Sequence, residues 1–160
     1  MSSRSFHAAR AFRISCLTLI ADQITKFFVI RSFALGESLP VIRHVLHLTY
    51  VQNTGAAFGL FKGQQLLFIG VSLLIIIWIV RELAARRPLA SSMVWGCALV
   101  LGGALGNLID RVRLGYVVDF IDLRVWPVFN MGDSAITVGV ALLILHSFLS
   151  PLGTRDMGHE

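Results

Sequence analysis

Charge is scarce in this sequence. Only 14% of its 160 residues are Asp, Glu, Lys or Arg, and nine of them are acidic. Soluble domains carry about 25% charged residues, so this chain has too little polar side chain to cover a water-soluble globule. Cysteine is almost missing: Cys16 and Cys97 each stand alone in an apolar run, with no CxxC or Cys/His spacing. Neither a disulfide framework nor a zinc site is expected. There is no Gly-x-Ser-x-Gly elbow, no HExxH and no P-loop, and Ser, Cys and His are not spaced as a nucleophile and its base. The net charge of +5 is not interleaved with aromatics, so it does not read as a nucleic-acid footprint. Internal repeats and low-complexity tracts are absent. The two halves show no matching broken helices, which speaks against a transporter.

What the chain has is apolar length. Its hydrophobic fraction is 56% and its mean hydropathy +0.76, values of an integral membrane protein. Four runs, about 14–30, 65–80, 89–109 and 131–149, approach the roughly 20 residues needed to cross a hydrocarbon core. The first follows a basic start with Arg4, Arg10 and Arg13. It reads as a retained span rather than a cleaved secretory signal, because Asp22, Gln23 and Lys26 interrupt it and no small-x-small site follows. Four spans place both termini on one side with the Arg81–Arg87 loop, and the positive-inside rule makes that side cytoplasmic. Arg111, Arg113 and Arg124 fall on the other side and weaken the contrast.

Segments 31–63 and 110–130 then face the extracytoplasmic side together. The first contains VIRHVLHLTYV, with β-branched and aromatic residues in partial alternation, and then the turn signal Asn53-Thr54-Gly55; it reads as a small β-hairpin or curved sheet. His44 and His47 lack a third metal ligand and read as interfacial. The second reads as a loop. The expected fold is an all-α membrane protein with four transmembrane helices and a small extracytoplasmic β-cradle, a single domain over residues 1–160.

The chemistry concentrates between Gly102 and Asp133. This stretch holds Asp110, Asp119, Asp122 and Asp133, together with Asn107, Asn130 and Arg111. An Asp at a membrane helix centre costs roughly 2.5–3.5 kcal/mol on insertion scales, so acids at that depth are read as functional. Two close aspartates hydrolyse an amide by sharing one proton. The ionised one activates water, and the protonated one polarises the carbonyl and then protonates the leaving amine. Most of these acids also have a plainer reading, while Asp119 stands in an apolar setting between Val118 and Phe120. Asp110 beside Arg111 suits an ion pair, and Asp122 an ordinary loop acid. Asp133 suits the first turn of a helix capped by Asn130. Asp22 and Lys26, four apart, suit a salt bridge on one helix face. Spacing alone does not choose between Asp110 and Asp119 as the partner of Asp133.

Five segments taken in order resemble the motif boxes of the bacterial lipoprotein signal peptidases (signal peptidase II). They are Asp22-Gln23-Ile24-Thr25-Lys26; Asn53-Thr54-Gly55-Ala56-Ala57-Phe58-Gly59; Gly102 to Arg111; Val117-Val118-Asp119-Phe120; and Phe129-Asn130-Met131-Gly132-Asp133-Ser134. The resemblance implies a four-helix aspartyl endopeptidase of the bacterial inner membrane, with cytoplasmic termini and its site near the periplasmic face. It implies diacylglyceryl-modified prolipoproteins as substrates, cut just before the lipidated cysteine, with no metal or organic cofactor. Carried over box by box, it implies Asp119 and Asp133 as the catalytic dyad. Asn53, Asn107, Arg111 and Asn130 become polar residues that hold substrate or order the site. Asp22 and Lys26 become supporting residues, and so does Asp110, acting through Arg111. Phe58 and Phe61 are expected to face lipid or acyl chains. Gly132 departs from the Ala usual there, and Gly loosens a helix start by up to about 1 kcal/mol. A membrane-lipid environment and a monomer are expected. Without the resemblance, an acid-relayed channel and a non-catalytic assembly factor compete with the peptidase.

Overall fold

The computed structural model describes residues 3–55, 63–84 and 89–149, with side chains from His7 onward. In chain order the elements are α1 (Ser3–Ser32), β1 (Ser38–Ile42), β2 (Leu46–Asn53), α2 (Gln65–Ala84), α3 (Ser91–Leu114), β3 (Val117–Asp122) and α4 (Met131–Leu149). Phe58, Phe61 and residues 85–88 and 150–160 lie outside the described residues.

α3 is the central helix, packed against α1, α2 and α4. Its composition explains why. Gly96, Gly102, Gly103 and Gly106 strip side chains from its surface, and small residues let membrane helices approach closely. Gly96 lies so near the Gly139 carbonyl of α4 that an added Cβ would stand 2.9 Å from that oxygen. α1 is tied to α3 by Ser15 Oγ, which donates to the Ala98 carbonyl at 3.0 Å. Apolar side chains cluster between α1 and α3 around Ala11, Ile14, Val94 and Ala98, and between α2 and α3 around Ile79, Cys97 and Val100.

The outward faces are apolar as well. Phe12, Phe28, Leu66, Leu74, Phe148 and Leu149 are all well over half exposed, as lipid-facing side chains are. Among the described residues, three helices, α2, α3 and α4, are long and apolar enough to cross a membrane. α1 is more charged, with Asp22 and Lys26 inside its apolar run and Arg13 and Arg31 at the run's two ends.

The three strands form one antiparallel sheet in the order β1-β2-β3. Val118, Phe120 and Tyr50 seat it on Val29 near the end of α1. The hairpin expected in 31–63 is present as β1 and β2. The second segment differs from expectation. Residues 110–130 are not one loop: α3 runs on to Leu114, and Val117–Asp122 forms β3. Strand β3 is buried along nearly its whole length, so Val-Val-Asp-Phe-Ile-Asp shows no in–out alternation. The first and third helices also differ in their limits, with α1 beginning at Ser3 and α3 at Ser91.

Candidate active site

Asp119 sits midway along β3, opposite Val51 of β2. Asp133 sits in the first turn of α4. Both line a cavity of about 170 Å³, together with Asn53, Gly55, Asn107, Arg111 and the Trp126–Phe129 segment. The structure therefore brings together, from β2, β3, α3 and α4, the two aspartates expected as a dyad and three of the polar residues singled out by sequence.

Asn130 lies behind them, fully buried, and joins the two acids. Its Nδ2 donates to Asp119 Oδ1 at 2.7 Å, and its Oδ1 accepts the Asp133 backbone N–H at 2.8 Å. The Asn130 N–H in turn donates to Asp133 Oδ2 at 3.4 Å. This is a reciprocal cap on α4, in which side chain and backbone of the two residues satisfy each other. The plain capping reading and the site reading thus describe the same atoms.

Each carboxylate has further donors. Asn53 Nδ2 donates to Asp119 Oδ2 at 2.9 Å, and Asn53 is itself held by the Gly55 N–H on its Oδ1 at 3.0 Å. Asn107 Nδ2 donates to Asp133 Oδ1 at 2.8 Å. Burial first, and then the nearby Asp133 charge, push the Asp119 carboxyl up to about 7 against the pull of Asn53 and Asn130. A carboxyl placed there holds its proton near neutrality, as one member of a proton-sharing pair does.

Asp22, Lys26 and Asp110 do not line the cavity; they form the buried layer beneath it. Lys26 Nζ is 2.8 Å from Asp22 Oδ2, 2.8 Å from Asp110 Oδ2 and 2.8 Å from Asn107 Oδ1, which occupies all three ammonium protons. Asp22 Oδ1 also accepts the Gly132 N–H at 2.8 Å, and Asp110 Oδ2 the Val118 N–H at 3.2 Å. The layer fixes the start of α4 and the start of β3 against α1. Asp110, expected to act through Arg111, has its close ion pair with Lys26 instead, while its charge still bears on the Arg111 guanidinium. Adjacent helical residues point in different directions, and Arg111 turns toward Phe68, whose ring centre lies 5.1 Å from its guanidinium carbon.

Sequence reasoning named Gln23 as an interruption of the first run but gave it no role; it donates to Asp110 Oδ1 at 3.1 Å and belongs to the same layer. The one available signal was a polar residue between Asp22 and the apolar side of the run. Trp126 and Phe129 were also given no role, and together with Asp133 they line both the polar cavity and an apolar one of about 410 Å³ that reaches Thr137 and Val138. Asp122 lies outside both. Burial works to raise its carboxyl, but donors from Arg124 and Thr49 outweigh it and hold it below the usual range. Among the described residues, no three of His, Cys, Asp and Glu are grouped to hold a metal ion.

The chain as a whole has relatives. The chain is 52% identical over 150 residues to the lipoprotein signal peptidase of Moorella thermoacetica, covering 92% of this chain and 96% of that one. It is 47% identical over 131 residues to that of Halothermothrix orenii, covering 81% and 89%. It is 41% identical over 159 residues to that of Geobacillus thermodenitrificans, covering 97% and 98%. A bacterial membrane enzyme solved by the in meso method at 2.3 Å superposes with a TM-score of 0.84 at 33% identity, over 94% of each chain. A second such enzyme, solved at 1.9 Å, gives 0.79 at 36% identity, over 88% of this chain and 93% of that one. The family described as signal peptidase (SPase) II matches residues 14–149, and this multi-pass membrane protein belongs to it.

Proposed function

We propose that this protein is an aspartyl endopeptidase that removes the signal peptide from prolipoproteins, cutting just before a cysteine that already carries diacylglycerol. The observation that carries the reading is a pair of carboxylates, Asp119 and Asp133, on one cavity and bridged by Asn130. Family membership supports the substrate. The chemistry follows from the pair. A water between the carboxylates loses its proton to the ionised member and attacks the scissile carbonyl. The protonated member donates to the carbonyl oxygen, and the proton then passes to the leaving amine. Asn53, Asn107 and Asn130 hold the two carboxylates. Arg111 faces the same cavity as a fixed cation for a substrate carbonyl or phosphate oxygen.

We read the chain as one domain with four spans, α1 included. Asp22 and Lys26 weigh little against α1, because each is buried and paired inside the bundle. Arg10 donates to Ser91 at 3.4 Å, and Ser92 meets His146 at 3.2 Å, so the start of α1, the start of α3 and the end of α4 share one end. The sheet and cavity lie at the other. The positive-inside rule puts the first end in the cytoplasm and the cavity at the outer face of the bacterial inner membrane. We read the protein as a monomer in the membrane lipid.

The test is cleavage of a diacylglyceryl-cysteine prolipoprotein by the purified protein in detergent. Wild type should cut, while folded Asp119→Asn and Asp133→Asn should be inactive and Asp110→Asn should retain part of the activity. A dead Asp110→Asn beside an active Asp119→Asn would move the dyad. A folded wild type that cuts nothing would end the peptidase reading.

A further inference from the structure

Arg111 enters the cavity from the last turn of α3, and the first turn of α2 meets it there. The Phe68 ring centre is 5.1 Å from the guanidinium carbon. Gln65 Nε2 donates to the Arg111 carbonyl, which also accepts the Gly115 N–H at 3.2 Å. Neither Gln65 nor Phe68 is among the residues lining the cavity. An arginine side chain has many rotamers, and fixing one costs entropy at the moment of binding. A ring face under a guanidinium attracts it and selects one direction before substrate arrives. The hydrogen bond from Gln65 holds the backbone from which that side chain starts.

We propose that Gln65 and Phe68 are positioning residues that hold Arg111 toward the Asp119–Asp133 cavity. This rests on the peptidase reading. It gives α2, which contributes no lining residue to the cavity, a part in the reaction.

The experiment is a double-mutant cycle on single-turnover cleavage of a diacylglyceryl-cysteine prolipoprotein, with enzyme in excess so that slow variants are read. Phe68→Leu should lower the rate about tenfold, the size expected from losing a partly desolvated cation–π contact. Phe68→Tyr, which keeps the ring, should stay within about twofold of wild type. In an Arg111→Gln background, Phe68→Leu should add less than about twofold, because coupled residues are not additive. Should Phe68→Leu fail to fold, Phe68→Met takes its place in the same cycle. An unchanged rate in the folded ring-less variant would overturn the proposal. So would a full tenfold loss repeated without Arg111, or a Phe68→Tyr rate as low as that of the ring-less variant. A wild type that cuts nothing would overturn the peptidase reading and this inference with it; any of the other three, beside an active wild type, would overturn this inference alone.

Discussion

Lys26 Nζ lies 2.8 Å from Asn107 Oδ1 and, with Asn130 Nδ2 donating to the same oxygen at 3.2 Å, fixes which end of that amide faces Asp133. An ammonium only donates, so the Asn107 oxygen must point toward it. The amide nitrogen is left to donate to Asp133 Oδ1, at 2.8 Å. Asn130 repeats the device. Its oxygen is taken by the Asp133 N–H, so its nitrogen faces Asp119. Two amides, each anchored at the oxygen end, present one N–H to each acid.

Removing Lys26 should therefore separate stability from activity. Lys26→Met leaves Asp22 and Asp110, which are 0% and 3% exposed, without their cation. Breaking a buried pair in this way costs about 3–5 kcal/mol. Adding Asp110→Asn removes one uncompensated charge and should restore part of the thermal midpoint in detergent. It does not restore a cation at Asn107, so cleavage should stay low. A double variant that regained both stability and turnover would show that the Asn107 orientation does not depend on Lys26.

The pH dependence of cleavage should carry the mark of Asp119. Its carboxyl is pushed up to about 7 by burial and by Asp133, so the shared proton is present below that value and lost above it. The rate should fall as pH rises through about 7. Asn53 donates to the ionised form and pulls that value down. Asn53→Ala should therefore move the alkaline limb to higher pH while lowering the maximum rate. A limb unmoved in folded Asn53→Ala would assign the ionisation to another group.

Stability should follow the same group. The folded value near 7 stands above the unfolded value of about 3.9, so between them the folded state binds more protons than the unfolded one. The Asp119 contribution to stability is fully present below about pH 4 and is lost as pH rises toward about 7. Asp122, held low, loses its contribution only on further acidification, outside this window. The thermal midpoint of wild type should drop between about pH 4 and pH 7, and Asp119→Asn should flatten that slope whatever it does to the midpoint itself. An equal slope in both proteins would place the proton elsewhere.

Much of the fold and of the candidate site was legible in the sequence where the signal was local. The i,i+4 spacing of Asp22 and Lys26 gave their ion pair. Asn130 and Asp133, three apart before an apolar run, gave the cap on α4. Partial alternation before Asn53 gave the hairpin. What stayed hidden depends on distant partners. β3 carries Asp119 and Asp122 in a strand buried on both faces, so its acids looked like loop residues. Asp110 stands next to Arg111 in sequence, but its cation comes from Lys26 on α1, and no local pattern announces that. Choosing Asp119 over Asp110 for the dyad needed the family resemblance, because spacing left the two equal.

Two glycines beneath the site should respond differently to one added methyl group. A Cβ on Gly106 would run into the Asp22 carboxylate, whose oxygens are committed to Lys26, Gln23 and the Gly132 N–H. That carboxylate cannot withdraw without breaking the buried layer. Gly106→Ala should therefore cost at the upper end of the roughly 1–3 kcal/mol range for overpacking, and cleavage should fall with it. A Cβ on Gly132 would stand 3.0 Å from Asp22 Oδ1 and 3.1 Å from both Asn130 Oδ1 and the Gly103 carbonyl. Those contacts need to open by only a few tenths of an ångström. Against that, Ala favours a helix over Gly by up to about 1 kcal/mol. Gly132→Ala should thus change the thermal midpoint little and keep the protein active. If Gly106→Ala proved as mild as Gly132→Ala, Asp22 would be shown to move freely, and the layer under Asp133 would not be the rigid support described above.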